Sequence, residues 1–217
     1  MQLNSDFSQK VLIHDRDNPW QTSPAIGVER KMLDRIGNEI ARATTIVRFA
    51  PQSSFEPHTH YGGEEYIVLD GVFQDESGNF PAGSYVRNPP MSRHTPSSEL
   101  GATIFVKLWQ FDPKDRTHLI ININSIDLIS DALRHGVKSS TLFKDTREHV
   151  SVEKWLPNTS HNLDFRSGAE ILVLNGSLAE NGQRLCERDW IRFPVKTQTQ
   201  LTSGPNGARI WVKTSRL

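Results

Sequence analysis

The sequence predicts an all-β chain built from two tandem copies of one small barrel or sandwich. Three observations carry this reading. Short runs rich in valine, isoleucine, phenylalanine and tyrosine recur along the 217 residues, with Gly, Pro, Asn and Asp between them. Only one stretch spaces its apolar residues as a helix would. The halves also resemble each other at an offset of about 106 residues.

In the first half, strands are expected at Thr44–Phe49, Tyr66–Leu69, Ser84–Arg87 and Thr103–Gln110. In the second half they are expected at Leu119–Ile123, Val150–Leu156, Ile171–Leu174, Trp190–Phe193 and Ala208–Lys213. Ser125–His135 is the one expected helix, because Ile126, Ile129 and Leu133 fall on one helical face.

The repeat is visible residue by residue. Ile104-Phe105-Val106-Lys107 matches Ile210-Trp211-Val212-Lys213, and Ala50-Pro51 matches Leu156-Pro157. With a one-residue slip, Glu65–Gly71 (E-Y-I-V-L-D-G) matches Glu170–Gly176 (E-I-L-V-L-N-G). Tyr85-Val86-Arg87 matches Trp190-Ile191-Arg192. The polar stretch Asp112–Thr117 is the expected boundary, giving domains 1–112 and 118–217.

Composition narrows the function classes. Lys+Arg and Asp+Glu are both 25, so nothing favours nucleic acid or an anionic membrane as partner. No apolar run reaches membrane-spanning length, and the N-terminus lacks a signal-peptide pattern, so a cytoplasmic protein is expected. The single cysteine, Cys186, excludes an intramolecular disulfide and is expected to be half-buried.

Residues 58–71, H-T-H-Y-G-G-E-E-Y-I-V-L-D-G, carry the chemistry. On a strand, residues two apart share a face, so His58 and His60 can aim at one point. Gly62 and Gly63 permit a tight turn that returns Glu64 to that point. His94, on a later strand, would be the fourth ligand. Three imidazoles and a carboxylate suit zinc, iron, manganese, copper or nickel, with room for a small ligand. Glu65, the next residue, points the other way if the segment is extended. These ligands do not recur in the second half. The positions facing His58 and His60 hold Asp164 and Arg166, or Leu163 and Phe165, depending on the slip, and that facing His94 is near Thr199. Glu170 is the counterpart of the Glu64–Glu65 pair, and His161 reads as a lone hydrogen-bonding histidine. The second copy is therefore a degenerate barrel without metal ligands.

His58, His60, Glu64 and Gly71 match the first motif of the cupin superfamily, and Gly78, Pro81, Gly83 and His94 its second. More narrowly, Pro57–Ser98, with the preceding G-V-E-R-K-M-L-D-R and the following I-F-V-K-L-W-Q, resembles the cupin domain of ChrR-type anti-sigma factors. The resemblance implies a jelly-roll barrel with one divalent metal, zinc in that family, held by His58, His60, Glu64 and His94. It also implies a role in stress-responsive transcription regulation with a sigma factor or other regulator as partner. Two departures stand out. ChrR-type proteins hold the sigma factor through a helical domain with a histidine–cysteine zinc motif, and no cysteine occurs here before residue 186. Family members often carry cysteine where this chain has Ala102.

Stand-alone cupins similar to this one include dioxygenases acting on small diketones or aromatic ketones, which is the alternative expectation. Tyr66, Phe55, Phe73, Phe105 and Trp109 are candidates to line the barrel, and Arg87 is expected to form an outward salt bridge. Cupins often pair through their sheets, so a homodimer is expected by analogy.

Overall fold

The computed structural model describes residues 1–38 and 40–215. It divides into two compact units. The first comprises Met1–Ser5 and Pro19–Ser125; the second comprises Asp6–Asn18 and the chain from Ile126 onward. The division thus falls after Ser125 rather than in Asp112–Thr117. Residues 113–125 stay with the first unit because Leu119–Asn122 pairs with Ser84–Asn88. A short N-terminal segment joins the second unit because Val11–Ile13 pairs with Trp190–Phe193.

Both units are antiparallel jelly-roll-type β-structures. In the first, the main sheet runs Gln2–Leu3, Val28–Gly37, Ala41–Phe49, Ala102–Leu108, Glu64–Asp75, Ser84–Asn88, Leu119–Asn122. In the second it runs Ile129–Ser130, Val137–Lys144, Glu148–Trp155, Thr197–Ser215, Ala169–Glu180, Trp190–Phe193, Val11–Ile13. The repeat read from the sequence is a repeat of topology. Even the irregularities recur. The ladder skips a residue between Val68 and Asp70 and again between Val173 and Asn175. Gly71 and Gly176 follow these bulges with φ of 72° and 77°. A Cβ at either would collide with the carbonyl of Gly101 or Gly207.

Each barrel has its own apolar core. The first gathers Val28, Phe49, Tyr66, Val68, Phe73, Phe80 and Ile104. The second gathers Trp155, Phe165, Ile171, Val173, Leu178, Phe193 and Ile210. On the opposite sheet face, three adjacent strands carry a buried row of charges. Arg87, Glu65 and Lys107 form it in the first unit, and Arg192, Glu170 and Lys213 in the second. Arg87 stacks 3.9 Å from the Phe111 ring centre, and Arg192 stacks 4.0 Å from that of Phe7. The salt bridge of Arg87 is real but buried: its partners are Glu65 at 3.6 Å and Asp115 at 2.8 Å.

The structure corrects several expectations. Ser125–His135 is not a helix. Ile129–Ser130 is a strand paired with Lys138–Ser139. Asp131 Oδ1 accepts from the backbone N–H groups of Leu133 and Arg134, closing a turn that competes with helix. Ile129 and Leu133 are then 75 % and 93 % exposed, so the apparent apolar face packs on nothing. Cys186 is exposed rather than half-buried. Trp109 lies outside the barrel against the Gly62 turn, and Phe105 points away from the first core, as its alternation with Ile104 and Val106 requires.

Candidate metal centre

His58–His60 pairs antiparallel with Ser92–His94, and the register sets His94 directly across from His58. Cross-strand partners bring their side chains within contact distance, and His60 shares their face two residues on. The result is a cluster in which one nitrogen from each of His58, His60 and His94 lies within 4.8 Å of the others. His60 and His94 are buried and His58 is part-exposed, so the cluster opens on the His58 side.

The hydrogen bonds decide which nitrogens face inward. His58 Nδ1 lies 2.8 Å from the Glu56 carbonyl, and His94 Nδ1 lies 3.1 Å from Asp75 Oδ2. Those acceptors call for an N–H at each Nδ1, leaving Nε2 free to ligate. His60 Nε2 and His94 Nε2 approach to 2.8 Å. Glu64 Oε2 stands 3.5 Å from the first and 3.6 Å from the second. Asn88 Nδ2 donates to that same oxygen at 3.1 Å and orients the carboxylate.

The turn delivering Glu64 needs its glycines. Gly63 has φ of 76° and donates to the His60 carbonyl. Gly62 lies so close to Trp109 that a Cβ would strike the indole ring. Backbone bonds from Trp109 and Phe111 to the Gly63 and Gly62 carbonyls fasten the turn to the next strand end.

Protonation is tuned across the cluster. Burial holds the His60 imidazole below its ordinary pKa, with the neighbouring histidines adding to the effect and Glu64 opposing it. For His94, burial pulls the same way, but the Asp75 hydrogen bond and the Glu64 charge outweigh it and raise the pKa. Burial would raise the Asp75 pKa, but hydrogen bonds from His94 and Ser77 bring it down.

A metal with bonds of about 2.0–2.2 Å holds neighbouring donor atoms roughly 3–3.5 Å apart. The separations among His60, His94 and Glu64 lie close to that spacing, and a His58 nitrogen lies within 4.8 Å of the two histidines, so the residues fit a metal ion. A second observation concerns Tyr66, two residues beyond Glu64. Its hydroxyl is buried and makes no hydrogen bond among the described residues. A hydroxyl so placed can donate to a molecule bound inside the barrel.

The structure therefore brings together His58, His60 and His94 and sets Glu64 beside the last two. Asp75, Asn88 and the Tyr66 hydroxyl were not singled out from the sequence. Asp75 and Asn88 reach the site only through strand register, which leaves no local motif. Glu65 points to the opposite face and accepts from the Tyr85 hydroxyl at 3.0 Å.

In the second barrel the same register replaces the cluster. His94 pairs with His58 as Thr199 pairs with Leu163. Thr199 donates to Glu180 at 2.7 Å, standing where His94 contacts Asp75. Leu163 and Phe165 thus occupy the histidine positions and Ala169 that of Glu64. His161 makes a hydrogen bond at 2.9 Å to the His135 carbonyl.

Residues 8–112 match the family model of the ChrR cupin-like domain. Solved structures similar over nearly the whole chain include a candidate dioxygenase from Nostoc punctiforme. That protein has 15 % identity and a TM-score of 0.82, over 96 % of this chain and 83 % of its own. The bacterial pirin YhhW from Escherichia coli, in complex with nickel(II), has 11 % identity and a TM-score of 0.70, over 96 % of this chain and 100 % of its own. An oxalate decarboxylase variant from B. subtilis has 10 % identity and a TM-score of 0.65, over 94 % of this chain and 76 % of its own. At such identities the likeness shows the fold alone. No curated protein matches the sequence significantly. The family match covers the first barrel, and the likeness to solved structures gives the whole chain a cupin-type jelly-roll fold. No helix among the described residues is long and apolar enough to cross a membrane.

Proposed function

We propose that the first barrel binds one divalent metal, zinc by preference, through Nε2 of His58, His60 and His94 and the carboxylate of Glu64. On this reading the protein is a ChrR-like sensor module in stress-responsive regulation, acting through a separate sigma factor or other regulator. The convergence of three imidazole nitrogens and Glu64 Oε2 carries the metal assignment. The family match over residues 8–112 supports the regulatory role. Bound there, the metal would supply a Lewis-acid centre with coordination positions left for a small ligand. The protein's own part is to fix the tautomers of His58 and His94, hold Glu64 through Asn88, and admit a ligand past His58.

The test is elemental analysis of protein purified without a metal-affinity tag, repeated on His60→Ala and His94→Ala. About one zinc per chain, lost in both variants, is the expected result. Full occupancy in either variant overturns the ligand set. A pull-down from stressed cells should recover a sigma factor or regulator; recovery of none sinks the regulatory role.

The buried Tyr66 hydroxyl favours a second reading, a dioxygenase for a small diketone or aromatic ketone, because it offers a hydrogen bond inside the barrel. The likeness to the candidate dioxygenase points the same way. Oxygen consumption by iron-loaded protein with a β-diketone would establish it, and no turnover across a broad carbonyl panel would dismiss it.

A further inference from the structure

The second barrel has lost the metal ligands, yet its interior is not filled. A cavity of about 230 Å³ lies within it. Its floor is apolar: Trp155, Phe165, Ile171, Leu201 and Ile210 line it and are all buried. Its polar wall comes from one strand. His149, Ser151, Glu153 and Trp155 alternate along Glu148–Trp155 and face the cavity together.

That polar wall is not inherited from the first barrel. The corresponding strand, Ala41–Phe49, pairs with its neighbour in the same register. There the positions of His149 and Glu153 are taken by Ala43 and Val47, and Val47 packs on the apolar core. The second barrel has therefore exchanged one polar site for another on a different strand. A barrel kept only for packing gains nothing from a buried glutamate beside an open space.

Glu153 is 6 % exposed and firmly placed. Arg134 grips both its oxygens at 2.8 and 2.9 Å, and the Trp155 indole N–H donates at 2.9 Å. A carboxylate offers about four acceptor positions, and these bonds take three. Asp131 also binds Arg134, so two carboxylates share one guanidinium. Asp164 at the mouth is paired with Arg166. Burial and the Lys144 charge lower the pKa of His149, so this imidazole adds no positive charge near neutral pH. The Glu153 carboxylate therefore accepts a hydrogen bond from a head group placed against it and repels a carboxylate in the same place. For scale, an apolar cavity of about 150 Å³ holds benzene.

We propose that the second barrel is a binding site for a small uncharged molecule with an apolar ring and a hydrogen-bond-donating head group, received by Glu153 above the Trp155 and Phe165 floor. This site is separate from the metal centre and does not depend on it.

Phenol is the probe, titrated into the full chain by proton NMR, with benzoate as its anionic counterpart. Saturable phenol binding is expected, with intermolecular contacts to the Leu201 and Ile210 side chains. Benzoate should bind roughly tenfold more weakly, or worse. Stripping metal or introducing His60→Ala should leave phenol binding unchanged, which separates this site from the first barrel. Ser151→Phe, which places a ring in the cavity, should abolish it. Absence of saturable binding overturns the proposal, as does equal binding of benzoate or loss of binding on metal removal. If Ser151→Phe does not fold, the contacts in the unmodified protein decide: phenol resting against residues other than Leu201 and Ile210 overturns it equally.

Discussion

His94 Nδ1 and Asp75 Oδ2 meet at 3.1 Å, and this contact turns the His94 Nε2 toward His60. Carboxylates placed behind a ligating imidazole fix its tautomer and raise its basicity. Asp75→Asn keeps the shape and removes the charge. It should weaken metal affinity by about 10–100-fold, read by chelator competition, with the fold unchanged by circular dichroism. Undiminished affinity would mean that Asp75 does not position His94.

The opposing shifts at this site give a pH signature. In metal-free protein the His94 pKa is raised, so its stabilisation is complete below the unfolded value of about 6.5 and fades as pH rises through the folded value. Asp75 is depressed, so its contribution is present above about pH 4 and is lost as pH falls through its folded value. Metal requires neutral imidazoles, so metal affinity should fall as pH drops through the raised His94 value. Thermal midpoints of stripped protein at pH 6 and pH 8, beside competition titrations at both, check the two signs. Because the lowered pKa of His60 works in the opposite direction, a stripped His94→Ala variant is the reference: the stripped parent should lose more stability than the variant between pH 6 and pH 8, and the parent should bind metal more tightly at pH 8.

Tyr66→Phe removes a buried hydroxyl that has no hydrogen-bond partner among the described residues. A buried unsatisfied polar group costs about 1–3 kcal/mol. The metal-free variant should therefore melt no lower than the parent, and up to a few degrees higher. A large drop would show that the hydroxyl is held by ordered water in the parent.

Gly63→Ala should damage the site at its turn. The position has φ of 76°, and an added Cβ would press on the Phe111 ring. Strain of this kind exceeds about 1 kcal/mol. Reduced metal stoichiometry and a lower midpoint are expected. Gly182→Ala in the second barrel is the comparison, since its positive φ carries backbone strain while nothing lies within reach of its Cβ. Its effect should be confined to stability, with metal content intact.

Arg87→Ala removes the guanidinium that bridges the buried Glu65 and Asp115 and leaves Lys107 as the remaining cation of the row. Removing one partner of a buried pair costs about 3–5 kcal/mol. Denaturant unfolding of the first barrel should shift by that amount, and Arg192→Ala should do the same to the second.

Much of the metal centre was readable because its geometry is local. A period of two places His58 with His60, and a Gly-Gly turn returns Glu64. His94 was expected as the fourth ligand from a later strand, but only cross-strand register sets it opposite His58. Asp75, Asn88 and the Arg87–Phe111 stack likewise depend on register and left no trace in spacing. The strand Val28–Gly37 escaped notice because Lys31, Asp34 and Arg35 look solvated, whereas all three are buried. Lys31 lies 4.9 Å from the Trp20 ring centre, which shelters its charge. The supposed helix at Ser125–His135 failed because periodicity counts spacing and not what lies opposite. Val11–Ile13 is too short to announce itself, and its partner lies at the far end of the chain.

That last pairing orders events during synthesis. Val11–Ile13 leaves the ribosome well before its partner Trp190–Phe193. The segment must wait for that partner while the residues between them are translated. The first barrel can close once Ser125 has been released, with its metal ligands already together. The second barrel can gain this edge strand only after Trp190–Phe193 has been released.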